Sequence, residues 1–224
     1  VKTTENILYN CYKAGCTLRG NSGYQFTVND ALIRNKGEKR QKEIFSLPTY
    51  VAPNMEVIVP WAKQYNINTD NLLYDVKENR IVFPVVHNNK IVDATGRAIS
   101  KRHKPKWKRY GSNGHAYLSG SGEIAVVVED CISAAVVSTI HSSFTGFALM
   151  GTSLLAVHIE DLKNYNKVIV ALDPDAVQKT LEFTRNLRGF LPTSSVCAIK
   201  LEDDLKYRRK DDIMSLELHI RQEK

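Results

Sequence analysis

An α/β fold is predicted for this chain of 224 residues, with a parallel sheet and flanking helices in the C-terminal half and a smaller mixed α+β subdomain before it. Three observations predict it. From residue 123 onward, short apolar runs alternate with segments of helical length, the pattern of repeated βα units. The runs "EIAVVVE" and "KVIVALD" are nearly continuous in apolar residues, as expected of strands covered on both faces. Ahead of them, "RIVFPVVHNNKIVDATGRAI" reads as two strands around an Asn-Asn turn, with a Gly-Arg turn near its end.

The elements follow in order. Residues 1–23 hold a short strand-like run, then Cys11 and Cys16. Residues 24–48 are polar and basic and read as a linker or helix. "PWAKQYNI" has Pro60 at a plausible first helical position. After the hairpin comes "SKRHKPKWKRYGSNGHAY", which carries most of the local basic charge, interleaved with Trp107, Tyr110 and Tyr117. The C-terminal half then reads as strand 123–129, helix "DCISAAVVSTIH", strand "FALMG", helix "IEDLKNYN", strand 167–173, helix "DAVQKTLEFTRNL", strand "SVCAIKL" and helix "DDIMSLELHI". In the third helix Val177, Leu181, Thr184 and Leu187 fall on one stripe.

Open parallel sheets bind ligands beyond the carboxyl ends of their strands. The first parallel strand ends in Glu129, the third in Asp173 with Asp175 just beyond, and the fourth runs into Glu202, Asp203, Asp204, Asp211 and Asp212. Acids from three strands thus reach one edge. Carboxylates crowded in this way repel unless a cation lies among them, and Mg²⁺ accepts one or two carboxylates together with substrate phosphates. Each acid taken singly also suits a helix N-terminus: Asp130 as a cap, Asp175 and Asp212 as partners of helix dipoles.

"VVVEDCISA", "ALMGTS", "VIVALDPDA" and "RKDDIMSL", in that order, resemble the Toprim fold of primases, topoisomerases and related nucleases. The run Arg80 to Pro84, the Gly96–Arg97 pair and the Pro105–Lys106–Trp107 triplet resemble the RNA-polymerase domain of bacterial DnaG-type and phage replicative primases. "LYNCYKAGCTLRG" is similar to the C-terminal part of their zinc ribbon. The resemblance implies a partial zinc-ribbon-like segment at 1–23, the basic linker or helix at 24–48, a primase N-terminal α+β subdomain at 49–120 and a Toprim domain at 121–224. It implies catalytic Glu129, Asp173 and Asp175, and a Mg²⁺ (or Mn²⁺) site of Glu129, Asp173, Asp175 and Asp211, with Asp203 or Asp204 as alternatives for the last acid. Two departures stand out: Asp130 replaces a glycine of the family motif, and Ser133 replaces its second acid.

The implied function is template-directed synthesis of short RNA primers on single-stranded DNA. The net charge of +7 fits a polyanion partner. Lys101, Arg102, Lys104, Lys106, Lys108 and Arg109 are candidates for template or triphosphate binding, with Trp107 and Tyr110 as stacking surfaces. The resemblance adds Arg80 and Arg97. Cys11 and Cys16 are candidate zinc ligands, but four residues separate them and no histidine stands at ligand spacing, so zinc is not expected in this chain alone. Cys131 and Cys197 read as core thiols. The chain begins with Val1, as a fragment would, and contains no P-loop. A replicative helicase is therefore expected as a separate chain or a missing C-terminal domain, with NTPs as substrates. No run of residues is long and apolar enough for a membrane span, and no secretory signal opens the chain, so cytoplasm (host cytoplasm for a phage protein) is expected. Two other functions use the same features: Toprim-type phosphodiester cleavage, as in nucleases and topoisomerases, and a catalytically silent single-strand binding module.

Overall fold

The structure, a computed structural model, describes residues 6–10, 19–23, 45–112, 114–191 and 194–220. The chain divides into two units, Val1–Ile44 and Phe45–Lys224. In the first, β1 (Asn6–Asn10) pairs antiparallel with β2 (Arg19–Gly23). Cys11, Cys16 and the basic stretch up to residue 44 lie outside the described residues.

The second unit holds two five-stranded sheets. One is antiparallel, in the order β3 (Val51–Ala52), β4 (Leu73–Asp75), β5 (Arg80–His87), β6 (Lys90–Ala98), β7 (Trp107–Arg109). Asn88 and Asn89 close the β5–β6 hairpin with φ of 49° and 59°. Positive φ at both turn positions suits the right-handed twist of the strands, and Asn tolerates it. Gly96 and Arg97, expected in a turn, lie inside β6 instead, opposite Val82 and Ile81. Gly96 serves packing there, since a Cβ would come within 3.0 Å of the Tyr110 ring. Pro60 is likewise not at a helix start. Helix α1 runs Met55–Lys63 because Asn54 caps it, its side chain accepting from Val57 N–H at 3.3 Å, and Pro60 falls in the interior.

The other sheet has the order β12 (Ser195–Ala198), β11 (Lys167–Val170), β9 (Ile124–Val128), β10 (Phe144–Ala148), β8 (Tyr117–Ser119). All pairings are parallel except β8 on β10, so the sheet begins ahead of the boundary expected at residue 121. Every residue of β9, β10 and β11 is buried, in keeping with helices on both faces. The second strand starts earlier than "FALMG" because Gly146 lets it approach α2 (Cys131–Val137). A Cβ on Gly146 would lie 2.0 Å from the Ala134 carbonyl oxygen. Gly146→Ala is accordingly expected to cost about 3 kcal/mol, at the upper end for overpacking, and to lower the melting temperature by about 6–12 °C in a thermal scan.

Helix α2 is buried along its whole length, including Cys131. Short α3 (Ala156–Leu162) follows β10. Helix α4 (Val177–Phe190) buries Thr180, Phe183, Thr184 and Leu187, whereas Leu181, expected on the inner stripe, is half exposed. Helix α5 (Lys210–Leu218) ends the described chain. One hydrophobic core runs through both sheets: Ile81, Phe83 and Val85 of β5 share it with Ile124, Val126 and Val128 of β9 and with α2. Phe83 is its hub, with ring centroids 6.0 Å from Trp61, 5.9 Å from Trp107 and 5.4 Å from Tyr117. Among the described residues no helix is long and apolar enough to cross a membrane.

Candidate active site

Strand β9 sits between β10 and β11, so the chain turns one way on leaving β9 for β10 and the other way on leaving β11 for β12. This is the switch point at which α/β sheets open a crevice beyond their carboxyl ends. A cleft of about 310 Å³ lies there. Glu129, Asp130 and Asp173 line it from the sheet edge, and Lys106, Trp107 and Arg109 line it from β7 and the residue before it. Met150, also in the lining, has a left-handed backbone (φ 53°) and donates its N–H to the Glu129 carbonyl at 3.0 Å. A bulky residue in that conformation costs about 1–2 kcal/mol, held here by the bond that fixes the backbone of Glu129.

Asp130 caps α2, its carboxylate accepting from the N–H groups of Ile132 and Ser133 at 2.9 Å. Ser133 itself is buried, and its hydroxyl has no hydrogen-bond partner among the described residues. Asp173 ends the segment after β11, and Pro174–Ala176 form a 3₁₀ turn that carries Asp175 into α4. A second 3₁₀ turn, Leu205–Tyr207, follows Asp204. The loop before it is tied down by buried Asp212, which accepts from Glu202 N–H at 2.9 Å and Asp203 N–H at 3.2 Å.

The acids act on one another. Burial, then Asp204, pushes the Asp173 carboxyl up to about 7, with Asp130 and Glu129 adding to the rise and Lys206 opposing it. Burial also raises Glu129, with Lys179 working against it and Asp175, Asp130 and Asp204 adding to it. The structure therefore brings Glu129, Asp173 and Asp175 together with Asp130 and Asp204. Asp211 lies exposed in the first turn of α5.

Lys206 is the residue that sequence reasoning missed. Its side chain is 3% exposed, and its ammonium donates to Asp130 at 3.2 Å and to Asp204. Burial works against the charge, and the two carboxylates overcome it, holding the lysine pKa above its usual value. A cation supplied by the chain thus already stands on one flank of the acidic group. The remaining donors are all oxygens, which suits a hard divalent ion. Among the described residues their ligand atoms do not gather three within 4.8 Å.

The basic candidates separate into groups. Lys106 lines the cleft, and burial, followed by the charges of Arg97 and Lys206, lowers its pKa. Arg97 lies over the Trp107 ring at 5.3 Å, and its buried Nη1 has no hydrogen-bond partner among the described residues. Arg109 lines the cleft and pairs with buried Asp93. Lys108, on the alternate face of β7, pairs with Glu78 instead. Lys101, Arg102 and Lys104 are exposed in the preceding loop. Arg80, expected at the template, is wholly internal: it ion-pairs with Glu78 at 3.0 Å and donates to the Pro105 carbonyl at 2.9 Å, anchoring the segment that leads into β7. Tyr110 is similarly engaged, its hydroxyl donating to Asp75.

No family model matches the sequence. No curated protein matches it. Solved structures do match. The zinc-binding and RNA polymerase domains of the Aquifex aeolicus primase align at 18% identity over 87% of this chain and 55% of that one, with a TM-score of 0.53. A DnaG catalytic core aligns at 16% identity over 88% of this chain and 74% of that one, with a TM-score of 0.52. The RNA polymerase domain of Mycobacterium tuberculosis primase DnaG aligns at 15% identity over 72% and 61%, with a TM-score of 0.50. This chain therefore spans little more than half of the Aquifex chain. What the likeness establishes is the fold, that of the DnaG catalytic core.

Proposed function

We propose that the chain is the catalytic core of a DNA primase, which joins ribonucleotides on a single-stranded DNA template by divalent-metal-dependent nucleotidyl transfer. The observation that carries this reading is the cleft itself: on a DnaG-core fold, Lys106, Trp107 and Arg109 share one lining with Glu129, Asp130 and Asp173. Side chains that would bind a polyanion and side chains that would bind a cation meet at one place.

Glu129, Asp173 and Asp175 would hold the ion, which when bound supplies charge to stabilise the attacking and leaving oxygens of the transfer. Asp173, with its carboxyl pushed up to about 7, is poised to release its proton as a cation arrives. Glu129, raised in the same direction, serves as a ligand or as the base that accepts the proton of the primer 3′-hydroxyl. Lys206 holds Asp130 and Asp204 in register and limits how much further positive charge the edge attracts. Lys106, Arg97 and Arg109 face the phosphates, and Trp107 offers a ring for an unpaired base. Lys104, Arg102 and Lys101 extend the basic surface outward. NTPs are the substrates, and a helicase acts either as a separate chain or as a further C-terminal domain.

The test supplies single-stranded DNA, NTPs and Mg²⁺ or Mn²⁺. New short RNA supports the primase reading, cut DNA would replace it with a nuclease, and binding alone would leave a silent module. Binding to single-stranded DNA should weaken with salt, at about 0.7 of a logarithmic unit per tenfold salt for each phosphate neutralised. Lys106→Ala is expected to reduce the number of phosphates neutralised by about one at any sequence, as read from a fluorescence titration at several salt concentrations.

A further inference from the structure

Away from the acidic edge, three side chains from distant parts of the chain converge. His87 ends β5, His115 leads into β8, and Asp161 lies on α3. Among the described residues, these three present ligand atoms all within 4.8 Å of one another. His115 Nδ1 stands 3.2 Å from Asp161 Oδ2. The imidazoles of His87 and His115 are stacked, with centroids 4.0 Å apart and planes 25° from parallel. None is sealed off: the side chains of His115 and Asp161 are 17% and 21% exposed.

We propose that His87, His115 and Asp161 bind a transition-metal ion of the zinc type, which ties the tip of the β5–β6 hairpin to helix α3. The ligand chemistry selects the ion. Two imidazoles and one carboxylate favour zinc over Mg²⁺ or Ca²⁺, which take oxygen ligands. The spacing agrees with it. Zinc bonds of about 2.0–2.1 Å at tetrahedral angles separate neighbouring ligand atoms by about 3.3–3.4 Å. The His115–Asp161 pair already has that spacing, and His87, with a ring nitrogen within 4.8 Å, reaches it by rotating its ring out of the stack with His115.

The backbone holds the ligands in place. The left-handed asparagine pair immediately after His87 fixes the end of β5. Gly114, with φ of 88°, holds a left-handed turn immediately before His115, where a Cβ would come within 3.3 Å of Leu155 at the start of α3. Three protein ligands and partial exposure leave a fourth position for water. This site is independent of the acidic edge and of any reading of the chain as a primase.

The experiment uses the full chain with Cys11 and Cys16 changed to serine, so that thiolates cannot compete. The metal-free protein is titrated with ZnCl₂ by calorimetry and melted with and without zinc. One equivalent should bind with micromolar or tighter affinity, and the melting temperature should rise by about 5–10 °C at a hundredfold excess over Kd. Co²⁺ should give the visible bands of a four-coordinate nitrogen–oxygen site. His87→Gln, His115→Gln and Asp161→Asn should each weaken zinc at least tenfold, with circular dichroism showing the fold retained. Asp173→Asn should leave zinc binding unchanged. The proposal is overturned if no zinc binds at 100 µM, if His115→Gln and Asp161→Asn both bind as the parent does, or if Asp173→Asn abolishes binding.

Discussion

Asp173→Asn should abolish primer synthesis and at the same time make the metal-free protein more stable at pH 8. The folded carboxyl titrates at about 7, chiefly because it is buried and faces Asp204. An unfolded aspartate titrates near 3.9. Between these values the folded state binds more protons than the unfolded chain, so stability falls as pH rises from about 4 to about 7. The penalty is complete above pH 7 and absent below pH 4. Asparagine removes the charge and keeps the shape. For a half-buried carboxyl screened by solvent, the gain at pH 8 is about 1–2 kcal/mol, or about 2–8 °C in melting temperature. It should vanish at pH 4. Thermal melts at the two pH values check the sign, and a primer assay in Mg²⁺ or Mn²⁺ checks the chemistry. Wild-type primer yield from the variant would show that Asp173 does not hold the ion.

Lys206→Met should act in the opposite direction. Methionine fills much the same space without the charge, leaving Asp130 and Asp204 facing each other across the place of the lost ammonium. Breaking a buried pair by removing one partner costs about 3–5 kcal/mol, and the partial exposure of both carboxylates puts this case near the lower figure. A fall of about 6–12 °C in melting temperature is expected without divalent ions. Millimolar Mg²⁺ should restore more stability to the variant than it adds to the parent, because the cation takes over the role of the lysine. Equal Mg²⁺ responses in the two proteins would contradict the assignment of Lys206 as the resident cation of this edge.

How far the sequence could be read follows from which interactions are local. The parallel strands were legible because burial on both faces leaves unbroken apolar runs, as in "IAVVV". Glu129 and Asp173 were legible because strand ends in such a sheet share one edge. Lys206 was not, since its partners Asp130 and Asp204 are known only once the loop after β12 has folded back over α2. The basic segment read as one patch, yet the structure divides it. Alternation along β7 and pairing with Glu78 turn Lys108 aside, and Glu78 and the Pro105 carbonyl draw Arg80 inside. The His87–His115–Asp161 group has no sequence signature at all, because Asp161 lies 46 residues beyond His115. The early start of β10 came from one glycine packed on a carbonyl, a contact that no periodicity reports.

The common core beneath the two sheets has a mechanical consequence. Phe83 of the antiparallel sheet is packed among Trp61, Trp107 and Tyr117, the last of these on β8 of the other sheet. Trp107 at once lines the cleft and rests on that hub. Among the described residues, the basic and acidic linings therefore share a foundation. To part them would expose aromatic surface worth several kcal/mol. The cleft is a slot of set width rather than a jaw. Amide exchange in β5 and β9 should accordingly proceed only through one cooperative unfolding event, with the same protection free energy in both strands.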